Sequence, residues 1–194
     1  MGQIVRALVA SCAVLLLPVP LVWADFDAGV AAYKAGDYST ALKEFRASAE
    51  QGNAKAQVGL GGLYYKGLGI PQDYSQAALW NRKAAAQGDA KAQFNLGLMY
   101  EGGHGVPQDY TQAARWYRLA AEQGDISAQY NLGVSYGNGQ GVSKDYVQAY
   151  MWADLAAMKG DKDASKMRGE LAALMTPAQI AEAQKLAREW KPKK

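Results

Sequence analysis

The chain has 194 residues, with 21 Lys and Arg against 18 Asp and Glu, one histidine and one cysteine. That length allows one ordinary domain or one short solenoid. A net charge of +3 spread along the chain argues against a nucleic-acid partner, which would gather cations on one face, and a single cysteine excludes a disulfide framework.

Residues 1–24 stand apart. One charge, Arg6, precedes a nearly unbroken apolar run from Ala7 to Leu17, followed by Pro18, Pro20 and Val22-Trp23-Ala24. The pattern predicts a secretory signal peptide cut after Ala24, leaving a periplasmic or secreted protein with no stable membrane span. Cys12 lies inside this segment with too few apolar residues before it for a lipid acceptor site. The mature protein is therefore expected to have no cysteine and to depend on helix packing.

Residues 25–51 read as an N-terminal capping pair of helices joined by the tight Lys34-Ala35-Gly36-Asp37-Tyr38. A glycine phrase then recurs: Gln51-Gly52-Asn53, Gln87-Gly88-Asp89, Gln123-Gly124-Asp125 and Lys159-Gly160-Asp161, with 36 residues between successive glycines. A fixed period without insertions is the mark of a solenoid, because each unit must stack on copies of itself. The repeats are placed at 52–87, 88–123 and 124–159.

Two helices are predicted in each repeat. The first carries an apolar stripe at i, i+4 and i+8: Ala56, Leu60, Tyr64; Ala92, Leu96, Tyr100; Ala128, Leu132, Tyr136. Gly61, Gly97 and Gly133 lie within it and are expected to let the partner helix approach closely. A loop with paired glycines follows, and Asp73, Asp109 and Asp145 then stand where an N-cap belongs. The second helix carries Trp80, Trp116 or Trp152, and Gly88, Gly124 and Gly160 are read as its C-caps. Tyr74, Tyr110 and Tyr146, with the tryptophans, are assigned to core and inter-repeat packing.

Residues 160–190 read as a degenerate repeat with a capping helix. Asp163 to Met175 keeps the first-helix position, but Arg168 replaces the core leucine and Ala172 the core tyrosine. Thr176-Pro177 starts a last helix whose face of Ile180, Ala183, Leu186 and Trp190 is expected to seal the open end of the stack. Residues 191–194 form a basic tail, expected to be solvated and frayed.

The string Ala-x-Ala-Gln-x-x-Leu-Gly-x-x-Tyr, then Gly-x-Gly, then Asp-Tyr-x-Gln-Ala-x-x-Trp-x-x-x-Ala-Ala-x-x-Gly spans Ala56 to Gly88, Ala92 to Gly124 and Ala128 to Gly160. It resembles the Sel-one-like repeat family, relatives of the tetratricopeptide repeat, and Phe26 to Gln51 looks like a plain tetratricopeptide unit. The resemblance implies an all-α, right-handed α-solenoid of helix-turn-helix repeats that acts as an adaptor or scaffold for protein complexes. Some cysteine-rich members bind or hydrolyse β-lactams; this chain has neither their cysteine pairs nor a Ser-x-x-Lys, so that activity is not carried over.

By the positional logic of such arrays, the concave face is lined by first-helix positions outside the stripe. Read across repeats these are Lys55, Lys91, Ser127; Val58, Phe94, Tyr130; Gly62, Leu98, Val134; and Tyr65, Glu101, Gly137. They vary while the core positions hardly change. Asn95 and Asn131 fall beside this strip, either to hydrogen-bond a partner's backbone or to satisfy groups between repeats. Such a surface suits an amphipathic helix or an extended peptide.

His104, alone of its kind, sits in a glycine loop and is expected to be solvent-exposed. No cluster has metal-ligand spacing and no nucleophile has an evident base. The expected function is a non-enzymatic, cofactor-free scaffold for a protein or peptide. The alternatives are a binder of a small molecule or cell-wall fragment, with or without hydrolysis, and self-association through an open end.

Overall fold

A computed structural model describes residues 25–193; the expected signal peptide lies outside the described residues. Among the described residues helices follow one another without a strand: α1 (Phe26–Ala35), α2 (Tyr38–Glu50), α3 (Ala54–Lys66), α4 (Tyr74–Ala86), α5 (Ala90–Gly102), α6 (Tyr110–Glu122), α7 (Ile126–Asn138), α8 (Tyr146–Met158), α9 (Lys162–Ala172) and α10 (Pro177–Glu189). From α1 to α9 each packs on the next, which makes an α-solenoid.

The helix ends are written in short side chains. Asp73 accepts from the Gln76 N–H at 2.9 Å, and Asp109 and Asp145 cap α6 and α8 in the same way. Between repeats, one phrase stops a helix and starts another. Gly88 turns the chain at φ 90°, its N–H reaching the Ala85 carbonyl and that of Asp89 the Ala84 carbonyl. The Asp89 carboxylate then accepts from Ala92 N–H at 2.8 Å, opening α5. The cap residues proper are Gln87, Gln123 and Lys159. The glycines expected there sit one residue beyond, where the left-handed conformation is required.

The joints between repeats are built alike. Arg46 of α2 donates to the Tyr64 hydroxyl of α3 at 3.3 Å, Arg82 of α4 to Tyr100 of α5 at 3.0 Å, and Arg118 of α6 to Tyr136 of α7 at 2.6 Å. At the next joint Asp154 stands in the arginine's place, and Arg168 of α9 pairs with it at 2.6 Å. The arginine that replaces the core leucine thus finds its counter-charge, and that bond holds its guanidinium above its ordinary pKa. Within repeats, Gln87 Nε2 donates to Gln57 Oε1 at 2.9 Å and Gln123 Nε2 to Gln93 Oε1 at 2.8 Å.

The C-terminal part differs from expectation in three ways. α9 ends at Ala172, short of Met175, as the chain bends toward the Thr176-Pro177 start, where the residue before proline avoids the helical region. α10, opened by the Thr176 and Gln179 capping box, packs on α8 and does not close the free side of α9. That is why α8 carries apolar residues on more than one face, with Ala149, Tyr150, Met151, Trp152, Ala153 and Leu155 buried among α7, α9 and α10. Trp190 meets Trp152 edge-on, centroids 6.3 Å apart. The tail is not frayed at Lys193: its N–H bonds the Glu122 carbonyl at 2.7 Å and its ammonium the Glu122 carboxylate at 2.8 Å. Of the aromatic residues assigned to packing, Tyr110 is instead 38% exposed.

Candidate functional site

The variable first-helix residues do not form one continuous strip. They collect in two grooves with a filled space between. The first groove, about 330 Å³, lies between α3 and α5; Val58, Gly62 and Tyr65 line one side, Lys91, Asn95 and Leu98 the other. The second, about 460 Å³, lies between α7 and α9 and includes Tyr130, Val134 and Gly137 of the expected set.

A residue on the second helix decides which spaces are open. Gly61, Gly97 and Gly133 do allow close approach, and what approaches differs. A Cβ on Gly61 would lie 2.7 Å from Asn81 Nδ2, and one on Gly133 3.2 Å from the Ala149 carbonyl oxygen. At Gly97 the Cβ would collide with the edge of the Tyr117 ring at Cδ1 and Cε1. The same register therefore carries Asn81, Tyr117 and Ala153 in successive repeats. Asn81, 3% exposed, forms the floor of the α3/α5 groove, where it donates to the Ala77 carbonyl at 2.8 Å and accepts from Asn95 at 3.0 Å. Tyr117 fills the space between α5 and α7.

That filling corrects the expectation for Phe94. It is 9% exposed and packs against Tyr117 with ring centroids 6.0 Å apart, because the phenol passing under Gly97 gives its ring an apolar wall. Glu101 is likewise engaged, accepting the Tyr117 hydroxyl hydrogen bond, with Asn131 alongside. Burial, then the bond and charge of Glu101, push the Tyr117 phenol far above its ordinary pKa. Lys55 and Ser127 are exposed beyond the grooves.

The grooves differ in charge. The α3/α5 lining holds Lys66 and Lys91 and no carboxylate. The α7/α9 lining mixes Lys144 and Lys166 with Asp163 and Glu170, and Tyr130, raised in pKa by burial and then by Asp163, Asp161 and Glu170, records that acidic side. Asn81 and Met167 are groove residues that the sequence alone does not single out. The signal for the first is present all the same: position 81 reads Asn, Tyr, Ala down the repeats while its neighbours Ala77 and Ala84 repeat unchanged.

His104 is another correction. It is half-buried, stacked on Tyr74 at 4.9 Å, with Nδ1 2.9 Å from the Tyr65 hydroxyl. It fastens the second repeat's loop onto the first repeat and explains Tyr65's orientation at the groove. Burial, followed by Tyr74, raises the Tyr65 phenol's pKa. No group of His, Cys, Asp and Glu among the described residues could hold a metal ion, and no helix there is long and apolar enough to cross a membrane.

Solved structures with the same architecture include a Sel1 repeat protein from Oxalobacter formigenes, 37% identical over 80% of this chain with a TM-score of 0.73. Another is c5321, a protective antigen present in uropathogenic Escherichia coli strains, 32% identical over 84% with a TM-score of 0.59. This chain spans 63% of the first and 45% of the second. Cysteine rich protein B of Helicobacter pylori, 24% identical over 68% of this chain and 94% of its own, shares the fold with a TM-score of 0.55. No curated protein matches the sequence. The Sel1 repeat model matches 54–89, 90–125 and 126–161. Each match starts at the first residue of a repeat's first helix, and the last ends immediately before α9. With more than half the chain so matched, the protein belongs to the Sel1 repeat family.

Proposed function

We propose that this protein holds a protein or peptide partner on the first-helix face of its repeats, in the cell envelope or outside the cell. Sel1 repeat proteins are generally interaction scaffolds and typically non-catalytic. The observation that carries the reading to this face is the division of labour among positions. The Ala, Leu and Tyr of the first-helix stripe and the Trp of the second helix recur in every repeat, whereas Val58, Tyr65, Lys91, Leu98, Tyr130 and Val134, at positions that differ between repeats, line two open grooves. A surface freed from the stacking constraint can be specific to a partner. The export signal read at 1–24 supports the location, and so does the description of the E. coli relative as a protective antigen.

The test is crosslinking in living cells from a photoreactive residue at Leu98, which is 39% exposed and lines the first groove. The same residue at exposed Arg115 on α6 serves as control. Capture of one protein from position 98 and not from 115 is the expected result; equal capture from both would refute use of this face.

A further inference from the structure

The α3/α5 groove has a chemical preference that the α7/α9 groove lacks. We infer that it accepts an apolar side chain carried by an acidic stretch of polypeptide, an inference that rests on the partner-binding reading above. Val58, Leu98 and Met99 supply apolar wall. A volume of about 330 Å³ stands at the low end of small-ligand pockets, enough for about one or two side chains. Lys66 and Lys91 stand at the lining with no carboxylate among them, and among the described residues neither is in an ion pair. Lys66 donates only to the Tyr33 hydroxyl, at 3.3 Å, and the Lys91 ammonium lies 5.0 Å from the Phe94 ring centre. Glu101, the carboxylate within α5, is taken up by Tyr117 on the α7 side, and Asp89 before it caps the helix at the Ala92 N–H. Two cations beside an apolar slot match an anionic segment and repel a basic one.

Asn95 adds a directional element. One amide hydrogen is spent on Asn81, which leaves the second N–H and the carbonyl oxygen for the backbone of an extended chain. In the α7/α9 groove, Asp163 and Glu170 would oppose the same segment.

The protein supplies its own design for closing the groove. Asn81→Tyr with Val58→Phe would give the first repeat the floor and wall that the second already carries in Tyr117 and Phe94, so the fold has a precedent for both. The probe is a dye-labelled Glu-Glu-Leu-Glu-Glu peptide, with Lys-for-Glu and Gly-for-Leu counterparts, followed by fluorescence anisotropy on the full chain. The acidic leucine peptide should bind, lose about tenfold in affinity on moving from low to high salt, and fail to bind the closed variant, whose helix content stays that of the wild type. Lys66→Glu with Lys91→Glu should also abolish it. Equal binding of the acidic and basic peptides, or undiminished binding to the folded closed variant, overturns the inference. If the Leu98 crosslink captures a partner while the acidic peptide does not bind, the scaffold reading stands and this preference falls. If the peptide binds as expected and position 98 captures no protein in cells, the groove's preference stands and the scaffold reading falls.

Discussion

Replacing Lys159 by glutamine tests whether the repeat rule also governs the third repeat. In the first two repeats the buried glutamine of the first helix receives a bond from the glutamine that caps the second. Gln129 Oε1 is buried without a partner, because position 159 is a lysine whose ammonium goes to the Gly124 carbonyl at 2.9 Å. The backbone does not stand in the way. Residues 87, 123 and 159 have φ of −86°, −84° and −95°, with ψ of 0°, −6° and 8°. A glutamine at 159 can therefore copy Gln123, which bonds Gln93 Oε1 and the Gly88 carbonyl together. Satisfying a buried acceptor is worth about 1–3 kcal/mol. Against it stand about 0.3–1 kcal/mol for a cation at a helix C-terminus and about 0.5 kcal/mol for an exposed ammonium over Trp190, here at 5.5 Å. The balance favours glutamine by roughly 0.5–1 kcal/mol, a rise in Tm of about 1–4 °C for a chain of this size. Urea midpoints at constant slope measure it. The mirror variant Gln123→Lys should lose stability by a comparable amount, since it strands Gln93. A Lys159→Gln protein that melts lower than wild type, or two variants that shift in the same direction, would refute the reasoning.

Two glycines should respond in opposite senses to alanine. Gly97→Ala drives a methyl into the Tyr117 ring and should cost at least about 1–3 kcal/mol, whereas Gly169→Ala, with open space around it in α9, should gain about 0.5–1 kcal/mol, both read by thermal unfolding. Phe94→Ala should destabilise by about 3–5 kcal/mol as a buried truncation, which makes it a stability variant and unsuitable as a binding variant; a loss under about 1 kcal/mol in urea would contradict its burial. At Asp37, Thr40 holds the carboxyl below the ordinary aspartate pKa through its side-chain bond first and its backbone N–H next. Because the folded pKa is the lower one, the stabilisation is present above the unfolded pKa and is lost as pH falls through the folded one. Asp37→Asn should keep the cap yet show a shallower loss of stability as pH falls below the ordinary aspartate pKa.

Local features of this fold are legible because they are decided locally. Asp-Tyr at a helix start and Gln-Gly-Asp between helices each fix a cap within a few residues, and the Ala/Leu/Tyr stripe fixes a face. The candidate site is legible only in part, because a groove is made by three helices at once. Val58 and Phe94 occupy one repeat position, yet one lines an open groove and the other is buried, and the difference lies on another helix, in Asn81 against Tyr117. His104 and Lys193 look free in the sequence for the same reason: Tyr74 lies 30 residues before the histidine in the chain, and Glu122 is 71 before the lysine. The docking of α10 on α8 is foreshadowed by the apolar run from Ala149 to Ala153 in α8, which belongs to the receiving helix and says nothing in α10's own pattern.

The arginine–tyrosine joints also bear on how such a chain can grow. Each joint uses residues from only two neighbouring units, so duplication of one 36-residue stretch within the array arrives with both of its new seams already matched. The last seam obeys another chemistry, with Asp154 facing Arg168. The second repeat copied into that seam would set its Arg118 against Arg168. Lengthening by duplication is thereby steered to the interior, and the terminal helices are inherited as a fixed end-piece.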